Sequence, residues 1–159
     1  MSPNGVLMVG IKGQWGGLIA ASISATKIPA SFLGALIANE SNGNQWTKRF
    51  EQAIYSELLA KYSTWPLPRL VDNATSWGLT QILGDNYPGE PFLLLDPKVG
   101  LPFTVILLEQ FATRWDLDLS KDFEQLFRCW NTGKSDGTPF DPQYIPNGLL
   151  RMNLYDNPQ

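Results

Sequence analysis

The reading of the chain turns on the stretch Leu33-Gly34-Ala35-Leu36-Ile37-Ala38-Asn39-Glu40-Ser41-Asn42-Gly43-Asn44. Positions 33, 36, 37 and 40 fall on one face of a helix, so Glu40 continues the apolar stripe of Leu33, Leu36 and Ile37. A carboxylate at the end of a buried stripe loses water, which favours its protonated form. It also stands at the negative end of the helix dipole, where anions are disfavoured and a Lys or a neutral residue is the better fit. Both effects raise its pKa, as a general acid working near neutral pH requires. Spacing alone also fits a Glu40 that turns outward at a fraying helix end. The polar turn Ser41-Asn42-Gly43-Asn44 that follows suits the lip of a cleft.

Outward from this helix the apolar spacing stays mostly helical. Pro29 suits the first turn of the Glu40 helix. Before it, Trp15, Leu18, Ile19 and Ile23 share a face, with Ser22 on the same stripe. Phe50, Ile54, Leu58 and Leu59 mark a third helix that stops before the turn Trp65-Pro66-Leu67-Pro68, and a shorter helical piece covers Ser76 to Leu83. Asp96-Pro97 opens another helix through Phe103, Ile106, Leu107 and Phe111, which Pro102 starts or kinks. Ser120 is placed to cap the next, with Asp122 in its first turn, running to about Trp130. A last helix follows Pro146 through Leu149, Leu150 and Leu154. Residues 1–13 are expected to be a loose lead-in to one domain spanning 14–159, with Asp156 to Gln159 as a short tail. The strand signal is poor, so the fold class is mainly α, with at most a small β element between Asn42 and Thr75.

Composition narrows the chemistry. At 159 residues the chain is one domain's worth, and 43% hydrophobic content is enough for a core. Apolar runs such as Phe92-Leu93-Leu94-Leu95 are far too short to cross a bilayer, so a soluble domain without membrane insertion is expected. There is no histidine, which excludes Ser-His-Asp and Cys-His catalysis and His-ligated zinc. The lone Cys129 forbids an internal disulfide and any Cys-x-x-Cys metal site, and packs most simply as a small apolar residue beside Trp130. Neither metal nor cofactor is expected. Twelve basic against 15 acidic residues give a net charge of −3, which disfavours nucleic acid as a partner. The fragments Gly10-Ile11-Lys12-Gly13 and Gly133-Lys134-Ser135 lack full P-loop spacing after a strand. Trp15 to Ala25 is mildly apolar but broken by Gly16, Gly17 and two serines, and it lacks a basic n-region, so no signal peptide is read.

Three segments then resemble known motifs in order. Ala35-Leu36-Ile37-Ala38-Asn39-Glu40-Ser41, Ser76-Trp77-Gly78-Leu79-Thr80-Gln81-Ile82 and Trp130-Asn131-Thr132-Gly133 resemble the Glu-Ser, Gly-Leu-Met-Gln and Tyr-Asn-x-Gly motifs of the soluble lytic transglycosylase family. That family shares the lysozyme-like α+β fold with goose-type lysozymes, and the likeness runs from about Trp15 to Tyr155. It implies cleavage of the β-1,4 bond between N-acetylmuramic acid and N-acetylglucosamine in peptidoglycan, at the bacterial cell wall in a periplasmic or extracellular setting. With no signal peptide, the chain would get there by another export route, on a phage, or as an already trimmed product. The expected partner is the glycan strand, taken up by a monomer.

In the resemblance Glu40 is the single catalytic acid/base. It protonates the glycosidic oxygen, then takes a proton from the muramic 6-hydroxyl as an anhydro ring closes. The neighbouring N-acetyl group helps to stabilise the sugar cation, so no second carboxylate is required. Ser41 matches the serine that orients the acid. Gln81 and Asn131 match amides lining the sugar site, where each offers both a donor and an acceptor. Tyr144 resembles a family tyrosine near the acid, although core packing explains it equally well. Two departures stand out. Thr80 replaces the usual Met and loses apolar contact with the sugar, while Trp130 replaces the usual Tyr, keeping the flat face without the hydroxyl.

Two other readings stay open. A hydrolysing lysozyme needs a second carboxylate to position water. Asp72 and Asp85 are candidates, though turn capping accounts for them. Glu51 is another, though a pair with Arg49 or a place in a first helical turn accounts for it. A non-catalytic peptidoglycan-binding module would use the six Trp and five Tyr as stacking faces.

Overall fold

Residues 1–157 are described by the computed structural model. The chain is mainly α, with seven α-helices and one small antiparallel sheet among the described residues. The first departure from the sequence reading comes at once. Residues 1–13 are not a loose lead-in, because helix α1 runs Pro3–Ile23. Ser2 caps it, its Oγ accepting from the Gly5 N–H at 3.1 Å, and Pro3 sits in the first turn, where its missing N–H costs nothing. Met8, Ile11, Trp15 and Ile19 form its buried stripe. By length and composition α1 is also apolar enough to span a bilayer, with a mean hydropathy of 1.4. Its buried stripe is nonetheless part of the core.

Helix α2, Ala30–Ser41, lies against α1, and every residue from Ser31 to Ala38 is buried. A helix apolar on all sides belongs in the middle of a structure. Here α2 packs between α1 and the last helix, α7, Tyr144–Asp156. Gly34 makes the contact possible, since a Cβ there would drive into the ring of Tyr155. Asn42 and Gly43 stop α2 with left-handed backbone, at φ 52° and 82°. Pro29 is the N-cap rather than a first-turn residue.

The sheet has strand order β1 (Lys48–Phe50), β2 (Thr75–Trp77), β3 (Ile82–Leu83). This corrects the expected helix over Ser76 to Leu83, which is a hairpin with Gly-Leu-Thr-Gln as its loop. Gly78 at φ 76° and Gln81 at φ 54° are left-handed, which no continuing α-helix tolerates. Between β1 and β2, α3 (Gln52–Lys61) and α4 (Leu67–Asn73) form a small satellite core around Leu58, Leu70 and Ala74. The expected turn at Pro66-Leu67-Pro68 is in fact the start of α4. Trp65 is clamped between the Tyr62 ring, at a centroid distance of 4.0 Å, and the Arg69 guanidinium at 3.7 Å.

Helix α5, Pro97–Trp115, is capped by Asp96, which accepts from the Lys98 N–H at 2.9 Å. It passes through Pro102, whose ring lies on its exposed side. Helix α6, Phe123–Thr132, has Asp122 rather than Ser120 at its N-cap position. Ser120 bonds back to Asp118 instead. Asp156 closes α7 rather than opening a tail, and the last two residues of the expected tail lie outside those described.

Candidate active site

A cleft of about 390 Å³ separates the sheet from α5 and α6, with Glu40 in its lining. That volume lies in the range of small-ligand sites. Arg49, Ser76 and Leu83, one row across the three strands, form one side. Leu107 and Phe111 of α5 and Trp130 and Asn131 of α6 face them.

Glu40 is partly buried in the last turn of α2. Burial pushes its carboxyl up from the ordinary 4.5 to about 7, a bond from Tyr144 and the charge of Arg49 oppose the rise, and Glu51 adds to it. Desolvation wins because few groups replace the lost water. The phenol of Tyr144 donates to Glu40 Oε1. Tyr144 also packs edge-on against Phe127, at 6.2 Å between centroids, so its ring sits in the core while its hydroxyl reaches Glu40. Burial first, then the Glu40 charge, raises the phenol's own pKa well above its usual value, which keeps it a donor.

The remaining expected residues divide. Asn131 lines the cleft with an exposed side chain. Trp130 lines it too, and its indole N–H donates to the Thr80 carbonyl at 3.0 Å, tying α6 to the hairpin loop. Gln81 lines the cleft, but its Nε2 donates to the carbonyls of Thr47 and Gly78, each at 2.9 Å, leaving only its carbonyl oxygen for a ligand. The left-handed backbone of Gln81 is the kind of strain that collects at functional sites.

The resemblance implies that Ser41 orients the acid, but its hydroxyl bonds to backbone carbonyls rather than to Glu40. Ser41 is buried outside the cleft lining, and its hydroxyl donates to the Leu79 carbonyl at 2.7 Å, stapling the end of α2 to the hairpin loop. Thr80 likewise faces away, its hydroxyl sharing a 2.7 Å bond with that of Thr104 in α5. Its difference from Met therefore falls on core packing rather than on a sugar.

Among the described residues, Glu51 is the one other carboxylate in the cleft lining, while Asp72 and Asp85 lie outside it. Glu51 Oε1 accepts from Arg49 Nε at 2.7 Å and from Ser76 Oγ at 3.2 Å. The pair anticipated from sequence is thus present, and Oε2 takes no part in either bond. Nothing local announced the Ser76 partner, which follows from strand register. Cys129 is fully buried, and burial pushes its thiol up to about 11, which leaves it an inert packing group.

Comparison with family models, with curated proteins and with solved structures returns no match for this chain.

Proposed function

We propose that the chain is a peptidoglycan lytic transglycosylase, cleaving the bond between N-acetylmuramic acid and N-acetylglucosamine through Glu40. The observation that carries this reading is the Glu40 carboxyl, held near a pKa of about 7, in the lining of an open cleft and bonded by Tyr144. At that pKa both forms are populated at neutral pH, as a group that first gives and then takes a proton requires. Glu40 protonates the glycosidic oxygen as the bond to C1 breaks. The carboxylate then removes the proton of the muramic 6-hydroxyl, whose oxygen bonds to C1. Support for a sugar ligand comes from the flat indole of Trp130 and the amide of Asn131 on the wall opposite the sheet. The three motif segments resembling the transglycosylase family meet at this cleft.

One observation favours a second reading, hydrolysis. Glu51 lines the same cleft, close enough to Glu40 to raise its pKa, with Oε2 outside the Arg49 and Ser76 bonds. A carboxylate so placed would hold an attacking water. Mass spectrometry of digested peptidoglycan separates the two. Anhydro muropeptides, lighter by one water, support the transglycosylase; ordinary reducing ends point to hydrolysis; no soluble product, with protein retained on the walls, leaves only a binding module.

A further inference from the structure

Behind the Glu40–Tyr144 bond lies a second layer of polar side chains. Asn39, the neighbour of Glu40 on α2, donates from Nδ2 to the backbone carbonyl of Tyr144 at 2.9 Å. Consecutive residues of α2 thus hold one tyrosine at both ends, its carbonyl by Asn39 and its phenol by Glu40. Asn39 Oδ1 in turn accepts from Arg151 Nη1 at 2.7 Å, and Arg151 Nε donates to Asn4 Oδ1 of α1 at 3.2 Å. A guanidinium can only donate and a backbone carbonyl can only accept, so one orientation of the Asn39 amide satisfies both.

Arg151 is half-buried, and among the described residues the ion pairs are Arg49–Glu51, Lys121–Asp118 and Arg128–Glu124, none of which includes it. Its acceptors are two neutral amides, and burial disfavours its charge. A neutral side chain would pack here at lower cost. What a guanidinium supplies is a rigid fork that orients the Asn39 amide and ties three helices together at the catalytic end of α2.

We propose that Asn39 and Arg151 are positioning residues, which hold Tyr144 so that its phenol stays on Glu40 and the acid keeps one rotamer through both proton transfers. The assignment rests on Glu40 being the acid, so its test includes a readout that does not depend on turnover. The charged and titratable groups facing Glu40 are Tyr144 from α7, Arg49 from β1 and Glu51 from the head of α3, and the Asn39 and Arg151 variants alter none of these.

The Glu40 carboxyl is followed by carbon NMR through a pH titration in the wild type, Asn39→Ala, Arg151→Met, Arg151→Lys and Tyr144→Phe. The pH profile of wall solubilisation is recorded beside it. Loss of Asn39 or of the Arg151 fork frees the phenol, which normally lowers the acid's pKa. The Glu40 midpoint should therefore move upward in Asn39→Ala and Arg151→Met, in the direction of Tyr144→Phe, with kcat down about tenfold and KM within about twofold. Arg151→Lys, which keeps a charged donor, should recover part of both effects. Unchanged Glu40 midpoints in folded Asn39→Ala and Arg151→Met would overturn the assignment and leave the two residues as scaffold alone. If Asn39→Ala does not fold, the two Arg151 variants decide on the same criteria. Full wall cleavage by Glu40→Gln would instead sink the function proposed above, while the titration would still report on the network.

Discussion

The phenol of Tyr144 donates to Oε1 of Glu40, joining residues 104 positions apart in the chain. The bond crosses from α7 to α2, the two helices that Gly34 allows to approach. It works against burial, stabilising the carboxylate form that burial disfavours. The acid is held near neutrality by the balance of these two effects, and its neighbours set where that balance lies.

Replacing Glu40 by Gln should abolish wall cleavage and also stabilise the fold near neutral pH. The folded pKa of about 7 lies above the ordinary 4.5, so between those values the native state keeps a proton that the unfolded chain has lost. Native stability therefore falls as pH rises from about 4.5 through 7, by up to about 3 kcal/mol in all. Glu40→Gln carries no charge to bury and should unfold at higher urea than the wild type at pH 8, with the gap closing below pH 4.5.

Tyr144→Phe keeps the packing against Phe127 and removes only the donor. The Glu40 pKa should then rise, since its largest pKa-lowering partner is gone. A general acid must be protonated to act, so the alkaline limb of kcat/KM should move to higher pH while kcat falls. An alkaline limb that stays in place would mean that the phenol does not act on the acid.

Two glycines with the same backbone angle should respond unequally to alanine. Gly78 and Gly133 both have φ 76°, but a Cβ on Gly78 would run into the Leu94 carbonyl, whereas at Gly133 it meets nothing within 4 Å. Gly133→Ala should cost about 1 kcal/mol, the penalty of left-handed backbone alone. Gly78→Ala should cost about 3 kcal/mol or more, because backbone must move. Denaturant melts of the two proteins test the difference.

Asn131→Ala and Gln81→Ala both remove an amide from the cleft, yet only one should disturb the fold. Asn131 is exposed, so its loss should slow turnover with the melting temperature unchanged. Gln81 holds the carbonyls of Thr47 and Gly78, so its loss should slow turnover and also cost about 1 to 3 kcal/mol. Equal melting temperatures for the two variants would show that the Gln81 clamp carries no stability.

Legibility from sequence followed the range of the interaction. The stripe of α2 and the place of Glu40 on it were readable because helical faces repeat within a few residues. The extent of α1 was not, because its glycines hid the continuous stripe Met8, Ile11, Trp15, Ile19. The hairpin at Ser76 to Leu83 was mistaken for a helix because its two left-handed residues leave little local mark, and Gln81 is not a residue usually found there. Motif position gave Ser41 the orienting of the acid and set Thr80 in the place of a sugar-contacting Met, whereas their hydroxyls bond to Leu79 and Thr104.

The order of the amino acids by itself determined a mainly helical chain without histidine, one of whose apolar stripes ends in a carboxyl group. Those properties depend on composition and on spacings of three or four residues. Only the folded chain decided that Tyr144 donates to that carboxyl, that Asn39 and Arg151 stand behind the tyrosine, and that Glu51 shares the cleft. Such partnerships join residues far apart in sequence, and their geometry is set by how whole helices and strands pack.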